Sequence, residues 1–216
     1  MILTQTYSSD SQILVLASAR LARAYKIATG EELWSVEING SEEPLMALSR
    51  DSTQFVMLSD EKLYVWKVDA LPPRRLCEIH GAETWDRPSY VKKLAINTKW
   101  LVFCESSSNT YSIHTYDLKT LTHQQMSNSG IITSVSFDTL DENSFCTNAG
   151  SWAIDEKGYI KPVGYCFSAD GVWITRDSQR LLWLPPQYRG VSASVRGDTV
   201  ALGSASGSVA VLYFET

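Results

Sequence analysis

The residues of this 216-residue chain that could hold a metal ion or attack a substrate are three histidines, His80, His114 and His123, four cysteines, Cys77, Cys104, Cys146 and Cys166, and many serines. A metal site needs three or four ligands converging on one point, usually announced by short paired spacings. The histidines read as falling in different copies of a repeat, with no carboxylate or cysteine at ligand spacing, so no metal ligand is assigned. No serine stands in a Gly-x-Ser-x-Gly elbow or beside an identifiable base, which leaves nucleophilic catalysis without a candidate residue. No Gly-rich loop ends in Gly-Lys-Ser or Gly-Lys-Thr, so nothing cradles a nucleotide phosphate. No catalytic residue and no cofactor are expected. The cysteines are widely spaced and read as buried free thiols of a reducing compartment.

Recognition has better candidates. Glu83-Thr84-Trp85-Asp86-Arg87-Pro88-Ser89-Tyr90 is a long polar stretch carrying Trp85, Arg87 and Tyr90, the three residue types enriched at binding hot spots. These three are the expected partner-binding residues. Pro185-Pro186-Gln187-Tyr188 matches a Pro-Pro-x-Tyr ligand pattern, which requires an exposed, extended segment. Its flanking Trp183 and Leu184 favour the plainer expectation that the prolines end a strand and Tyr188 packs at a sheet edge.

The charge balance narrows the partner. A formal net charge of -5 and a pI near 5.2 oppose general binding to nucleic acid or to anionic lipid. Lys92-Lys93 and Arg74-Arg75 are pairs and make no basic stripe. No apolar run approaches the roughly 18 to 20 residues of a bilayer-spanning helix, and the N-terminus does not read as a secretory signal. The expectation is a protein partner of unknown identity and a cytoplasmic location.

The elements that must position these residues are short apolar runs bounded by turn formers, the punctuation of β-strands. The runs repeat. A turn built on aspartate or asparagine precedes one apolar run in each copy, at Asp10, Asp51, Asn97, Asp141, Asp170 and Asp198. Such a side chain bonds backbone amides two residues on and reverses the chain tightly, a structural role. Successive turn residues lie 41, 46, 44, 29 and 28 positions apart. The first three steps match a four-stranded propeller blade of about 40 to 45 residues, and the last two are short of strands. The chain therefore reads as one all-β domain over 1–216, a β-propeller of about 5–6 blades. Its repeat units run over about 1–38, 44–80, 91–126, 131–161, 163–189 and 191–215. The last copy offers runs at 192–195, 200–203 and 209–214, and the run at 2–7 serves as first strand of its own copy. The ring is expected to be incomplete, with self-association through its open edges.

Tyr64-Val65-Trp66-Lys67 near the end of a third strand, and Tyr116-Asp117 where a Trp-Asp dipeptide would stand, resemble a divergent WD40 repeat without its Gly-His signature. The chain's end, from Val172-Trp173-Ile174-Thr175 through Arg180-Leu181-Leu182-Trp183-Leu184-Pro185-Pro186-Gln187-Tyr188-Arg189 to Ser206-Gly207-Ser208-Val209, is similar to the C-terminal tail of fungal NACHT and WD40 proteins, NLR-like receptors. That resemblance implies a non-catalytic interaction module, the sensor or scaffold propeller of a signalling receptor. Thr29-Gly30-Glu31-Glu32-Leu33-Trp34 resembles the Thr-Gly-x-x-Leu-Trp hairpin of quinoprotein-type propeller enzymes, the alternative function. It occurs once, and a turn joining two outer strands explains it.

Overall fold

The computed structural model describes residues 4–38, 44–59, 62–69, 71–80, 91–106, 110–129, 132–138, 141–189 and 192–215. Among them the chain is all β apart from one short 3-10 turn at Pro186–Tyr188. Its contacts divide it into two compact units, one of residues 1–88 with 94–99 and one of 89–93 with 100–216.

The first unit opens with two antiparallel meanders. Strands β1 (Thr4–Tyr7), β2 (Ile13–Ala17), β3 (Leu21–Lys26) and β4 (Glu32–Glu37) pair in sequence order, as do β5 (Leu45–Leu48), β6 (Gln54–Ser59), β7 (Lys62–Lys67) and β8 (Arg74–His80). Short loops between successive strands leave no room for crossovers, so each strand pairs with its sequence neighbour. β6 is buried along its whole length. The core sets small residues of one sheet, Ala17, Ala22 and Ala24, in the same cluster as Phe55, Met57 and Trp66 of the other. That combination of small and large side chains lets two sheets approach without voids. Trp34 and Trp66 flank Phe55 at 5.2 and 5.5 Å between ring centroids, and burying Phe55 alone contributes about 1.5–3 kcal/mol. Thr29-Gly30 forms the β3–β4 turn, with the Gly30 amide donating to the Lys26 carbonyl at 2.8 Å, which is the structural reading of that hairpin.

In the second unit β10 (Trp100–Ser106), β11 (Thr110–Asp117) and β12 (His123–Ser129) form a meander to which the sheet order adds β9 (Val91–Ile96). Tyr116-Asp117 ends β11, and the Asp117 carboxylate caps the following turn by accepting the amides of Lys119 and Thr120 at 2.8 and 2.9 Å. Next comes one six-stranded sheet of β13 (Val135–Phe137), β14 (Ser144–Thr147), β15 (Gly150–Ile154), β16 (Ile160–Phe167), β17 (Trp173–Arg176) and β18 (Gln179–Trp183). A three-stranded sheet of β19 (Ala193–Arg196), β20 (Thr199–Gly203) and β21 (Val209–Tyr213) follows. None of these sheets closes on itself, and β1 and β21 belong to different sheets. The architecture is propeller-like and all β.

The short repeat steps have a physical cause in β16. One edge pairs with β15, from Ile154↔Ile160 to Ser151↔Val163 and, past a register shift, at Gly150↔Cys166, while the other edge pairs with β17, from Tyr165↔Arg176 to Phe167↔Ile174. One strand thus closes one repeat and opens the next, so the boundary drawn between 131–161 and 163–189 falls inside a single strand. The β15 ladder shifts register at a bulge before Cys166, where Gly164 has φ 65° and its amide donates to Asp177 Oδ1 at 2.8 Å. The step ending at Asp198 is short because β16–β18 and β19–β21 supply only three strands each.

Side-chain bonds link the first four repeats in order. In the first unit Ser9 Oγ donates to the Arg50 carbonyl and Gln54 Nε2 to the Thr98 carbonyl, spanning 41 and 44 residues. In the second, Trp100 Nε1 donates to Asn143 Oδ1 and Thr115 Oγ1 to the Gly158 carbonyl, each spanning 43 residues. A near-constant span of one repeat length is what stacked copies of one unit require.

Gly150 begins β15 opposite Cys166 with φ 146°, where an added Cβ would lie 2.3 Å from Cys166 Sγ and 2.9 Å from its Cα. Replacing Gly150 by Ala combines backbone strain with a clash against main chain, and is expected to cost about 3 kcal/mol or more. Thermal unfolding should show Tm lowered by roughly 6–12 °C; an unchanged Tm would contradict the close approach.

Candidate functional site

Trp85, Arg87 and Tyr90 lie outside the described residues. The six turn residues are placed. At Asp10, Asp51 and Asp170 one network recurs with a serine two residues earlier. Ser8 Oγ donates to Asp10 Oδ1 at 2.5 Å, Ser49 Oγ to Asp51 Oδ1 at 2.6 Å and Ser168 Oγ to Asp170 Oδ1 at 2.5 Å. The carboxylate then accepts the amide two residues on, from Gln12, Thr53 and Val172. The serine oxygen accepts the amide one further on, from Ile13, Gln54 and Trp173 at 2.9 Å each. Asn97 Oδ1 accepts the Lys99 amide at 2.9 Å, and Asp141 accepts the Asn143 amide and the Ser144 hydroxyl. At Asp198 the backbone carbonyl accepts the Phe214 amide at 2.9 Å. Hydrogen bonds from Ser8, Ser144 and Ser168, joined by backbone amides, hold Asp10, Asp141 and Asp170 below the ordinary carboxylate pKa. At Asp51 burial pushes the other way, and the bonds from Ser49 and Thr53 together outweigh it. The sequence signal for this lock was the serine at the second position before each of these three aspartates, a pairing that reading the aspartates alone overlooks.

The histidines need a correction. His114 and His123 stand on successive strands of one sheet, because β11 and β12 pair with Tyr116 opposite His123 and His114 two residues along the same face. His114 is fully buried; its Nδ1 lies 3.1 Å from His123 Nε2 and its Nε2 lies 3.4 Å from Glu105 Oε1. The His123 ring stacks on Tyr116 at 4.6 Å and on His114 at 5.3 Å. A carboxylate, two imidazoles and a phenol thus form one cluster. Burial, with His114 beside it, lowers the His123 pKa, and burial together with the Glu105 charge raises that of Tyr116. Stacked rings in contact leave no space between them for a substrate, and among the described residues no group of three or more His, Cys, Asp or Glu could hold a metal ion. The four thiols are free, Cys104 and Cys166 buried and Cys77 and Cys146 half-buried. Burial pushes Cys166 up to about 11, far from a reactive thiolate.

The surface of β16–β18 has a different character. Every residue of β18 is exposed, including Leu181, Leu182 and Trp183 at 49, 39 and 46%. Three guanidinium groups lie over aromatic rings there: Arg176 over Tyr165 at 5.5 Å, Arg180 over Trp173 at 5.4 Å and Arg189 over Trp183 at 4.5 Å. Each such contact contributes about 0.5–1 kcal/mol at an exposed site and holds its arginine in place. The β17–β18 turn is Asp177-Ser178, both at positive φ, as a two-residue hairpin requires. Beside it lies a hollow of about 240 Å³ walled by Met126, Trp152, Pro162, Phe167, Thr175 and Arg180 among others. Pro185-Pro186-Gln187-Tyr188 ends β18 in a tight helical turn, the Tyr188 amide donating to the Pro185 carbonyl at 3.0 Å, and Tyr188 packs against the core of the last strands. It is not an extended ligand.

Fold and surface together define a repeat-built, propeller-like protein with an arginine-clamped aromatic face. No family model matches the chain. A 55-residue stretch, 24% of the chain, is 38% identical to the vegetative incompatibility protein HET-E-1 of Podospora anserina, and it spans only 4% of that protein's length. This partial match points to a WD40-type region. In fold, 92% of the chain superposes with TM-score 0.54 and 12% identity on 64% of a functionally unknown protein from Desulfotomaculum acetoxidans DSM 771, seen in a crystal structure.

Two predictions test the turn lock and the histidine cluster. Ser49→Ala leaves the buried Gln54 amide without its acceptor and should cost about 1–3 kcal/mol in urea unfolding; a neutral result would mean the lock is decorative. Aspartates held low stabilise the fold fully above the ordinary value of 3.8, and that contribution is lost as pH falls through their lower folded values. His123, also held low, resists protonation in the fold, so stability should already begin to fall as pH drops below 6.5. His123→Gln should flatten the profile near pH 6 and leave the acid limb, as read by Tm across pH 3–8.

Proposed function

We propose that this chain is a non-catalytic protein–protein interaction module, the sensor or scaffold propeller of an NLR-like signalling receptor acting in the cytoplasm. Six repeat units, over 1–38, 44–80, 91–126, 131–161, 163–189 and 191–215, supply its framework. The observation that carries this reading is the β18 surface, where Leu181, Leu182 and Trp183 are exposed among arginines already fixed over aromatic rings. Exposed aromatic and arginine side chains with restricted motion lose little entropy on binding, which is what hot spots require. The HET-E-1 match, confined to a short segment, supports the same class. No helix among the described residues is long and apolar enough to cross a membrane. The Trp85, Arg87 and Tyr90 stretch belongs to this proposal as a second contact surface.

Affinity capture from the native host tests it. A Trp85→Ala, Arg87→Ala double variant should lose the captured protein while Tm stays nearly unchanged, because side chains that serve a partner contribute little to stability. A large fall in Tm would make Trp85 structural, and retained capture in both this variant and a Leu182→Ala, Trp183→Ala variant would remove both surfaces from consideration. A purified chain carrying a chromophore or stoichiometric metal would instead favour the quinoprotein-type enzyme.

A further inference from the structure

Strand β21 is the outer strand of a three-stranded sheet, whereas the sheets β1–β4, β5–β8 and β9–β12 each have four. Its pairing with β20 is unbroken from Thr199↔Tyr213 to Gly203↔Val209, and β20 is its one strand partner among the described residues. Val209, Val211 and Tyr213 are 70, 46 and 77% exposed.

Proteins guard such edges with charge, proline or a bulge. The comparable edge at β18 has all three. Arg180 lies within it, Arg189 covers Trp183 and bonds the Leu184 carbonyl at 2.8 Å, the β17–β18 register is broken between Ile174 and Thr175, and Pro185-Pro186 follow. β21, Val-Ala-Val-Leu-Tyr, has none of them.

We propose that β21 pairs antiparallel with β21 of a second copy of this chain, about a two-fold axis at Val211. The strand is self-complementary in that register: Val209 faces Tyr213, Ala210 faces Leu212 and Val211 faces itself. Every opposed pair is apolar, so the chain's net negative charge is kept out of the contact. The same operation on β4 would set Glu32 against Glu37, a like-charge pair that forbids it. Two three-stranded sheets would thereby become one of six, satisfying both unpaired edges and packing the two valine and tyrosine rows side by side on one face. The interface is isologous, so a substitution at the axis meets its own copy.

That property gives the test. Sedimentation velocity of the full chain over a roughly hundredfold concentration range should show a monomer–dimer equilibrium. Val211→Lys and Val211→Glu chains, each checked for parental circular dichroism and Tm, should each weaken dimerisation at least tenfold, because like charges then oppose on the axis. Mixing the two should restore the dimer. In the parent, hydrogen exchange of the Val209–Tyr213 amides should slow as concentration rises, a reading independent of any variant. A parent that stays monomeric, a dimer that survives in both single variants, a mixture that remains monomeric, or exchange indifferent to concentration would overturn the proposal.

Discussion

The structure depends on reversing the chain within a few residues while leaving no buried amide unpaired. A turn this tight points several backbone N–H groups away from any strand, and an unmatched buried amide costs about 1–3 kcal/mol. The serine and aspartate pair answers this locally: one carboxylate oxygen takes a hydroxyl and an amide, and the hydroxyl oxygen takes the next amide as the second strand begins. Because the lock is closed within six residues, it sets where each second strand starts, independently of the rest of the repeat. Strand pairing follows from that start, and the first such turn also reaches the next copy, where Ser9 bonds the Arg50 carbonyl.

Repetition also explains where the architecture departs from regularity. A strand that serves two repeats must offer one edge to each, and β16 does so between β15 and β17, with a bulge at Gly164 at positive φ and with Cys166 against Gly150, where a side chain would otherwise stand. Sharing a strand shortens the repeat, but it leaves β18 without a fourth neighbour. The chain compensates there with arginines over tryptophans and a proline-bounded turn. β21 itself, Val-Ala-Val-Leu-Tyr, carries no charge or proline, so the two outer edges differ in character.

Much of this was legible in the residues. Aspartates at near-constant intervals located the first-to-second strand turns, and the two shortened intervals foretold missing strands. The shared strand was not legible, because Lys161, Pro162 and Gly164 within Ile160–Phe167 read as a break between two copies, and partner choice is a tertiary property. Nor was the approach of His114 to His123, nine residues apart. Only the register of β11 on β12 decides whether two such side chains share a face, and a shift of one residue would separate them. The serine two residues before Asp10, Asp51 and Asp170 was visible but carried no weight until its hydroxyl was seen to complete the turn.

The distribution of polar groups bears on what such a molecule can do. Chemistry at a carboxylate, hydroxyl or imidazole needs that group aimed at a space a substrate can enter. Here Asp10, Asp51, Asp141 and Asp170 are bonded to their own turns, Ser8, Ser49 and Ser168 are bonded to those aspartates, and His114 is sealed between Glu105 and His123. Among the groups facing outward on β16–β18 are the guanidinium groups of Arg176 and Arg180, the Trp183 indole, and Leu181 and Leu182. These act by shape, area and charge, and they keep their geometry without a ligand because each arginine already rests on a ring. A side chain held in place before a partner arrives gives up little conformational entropy on contact, which is the physical advantage of arginines resting on rings.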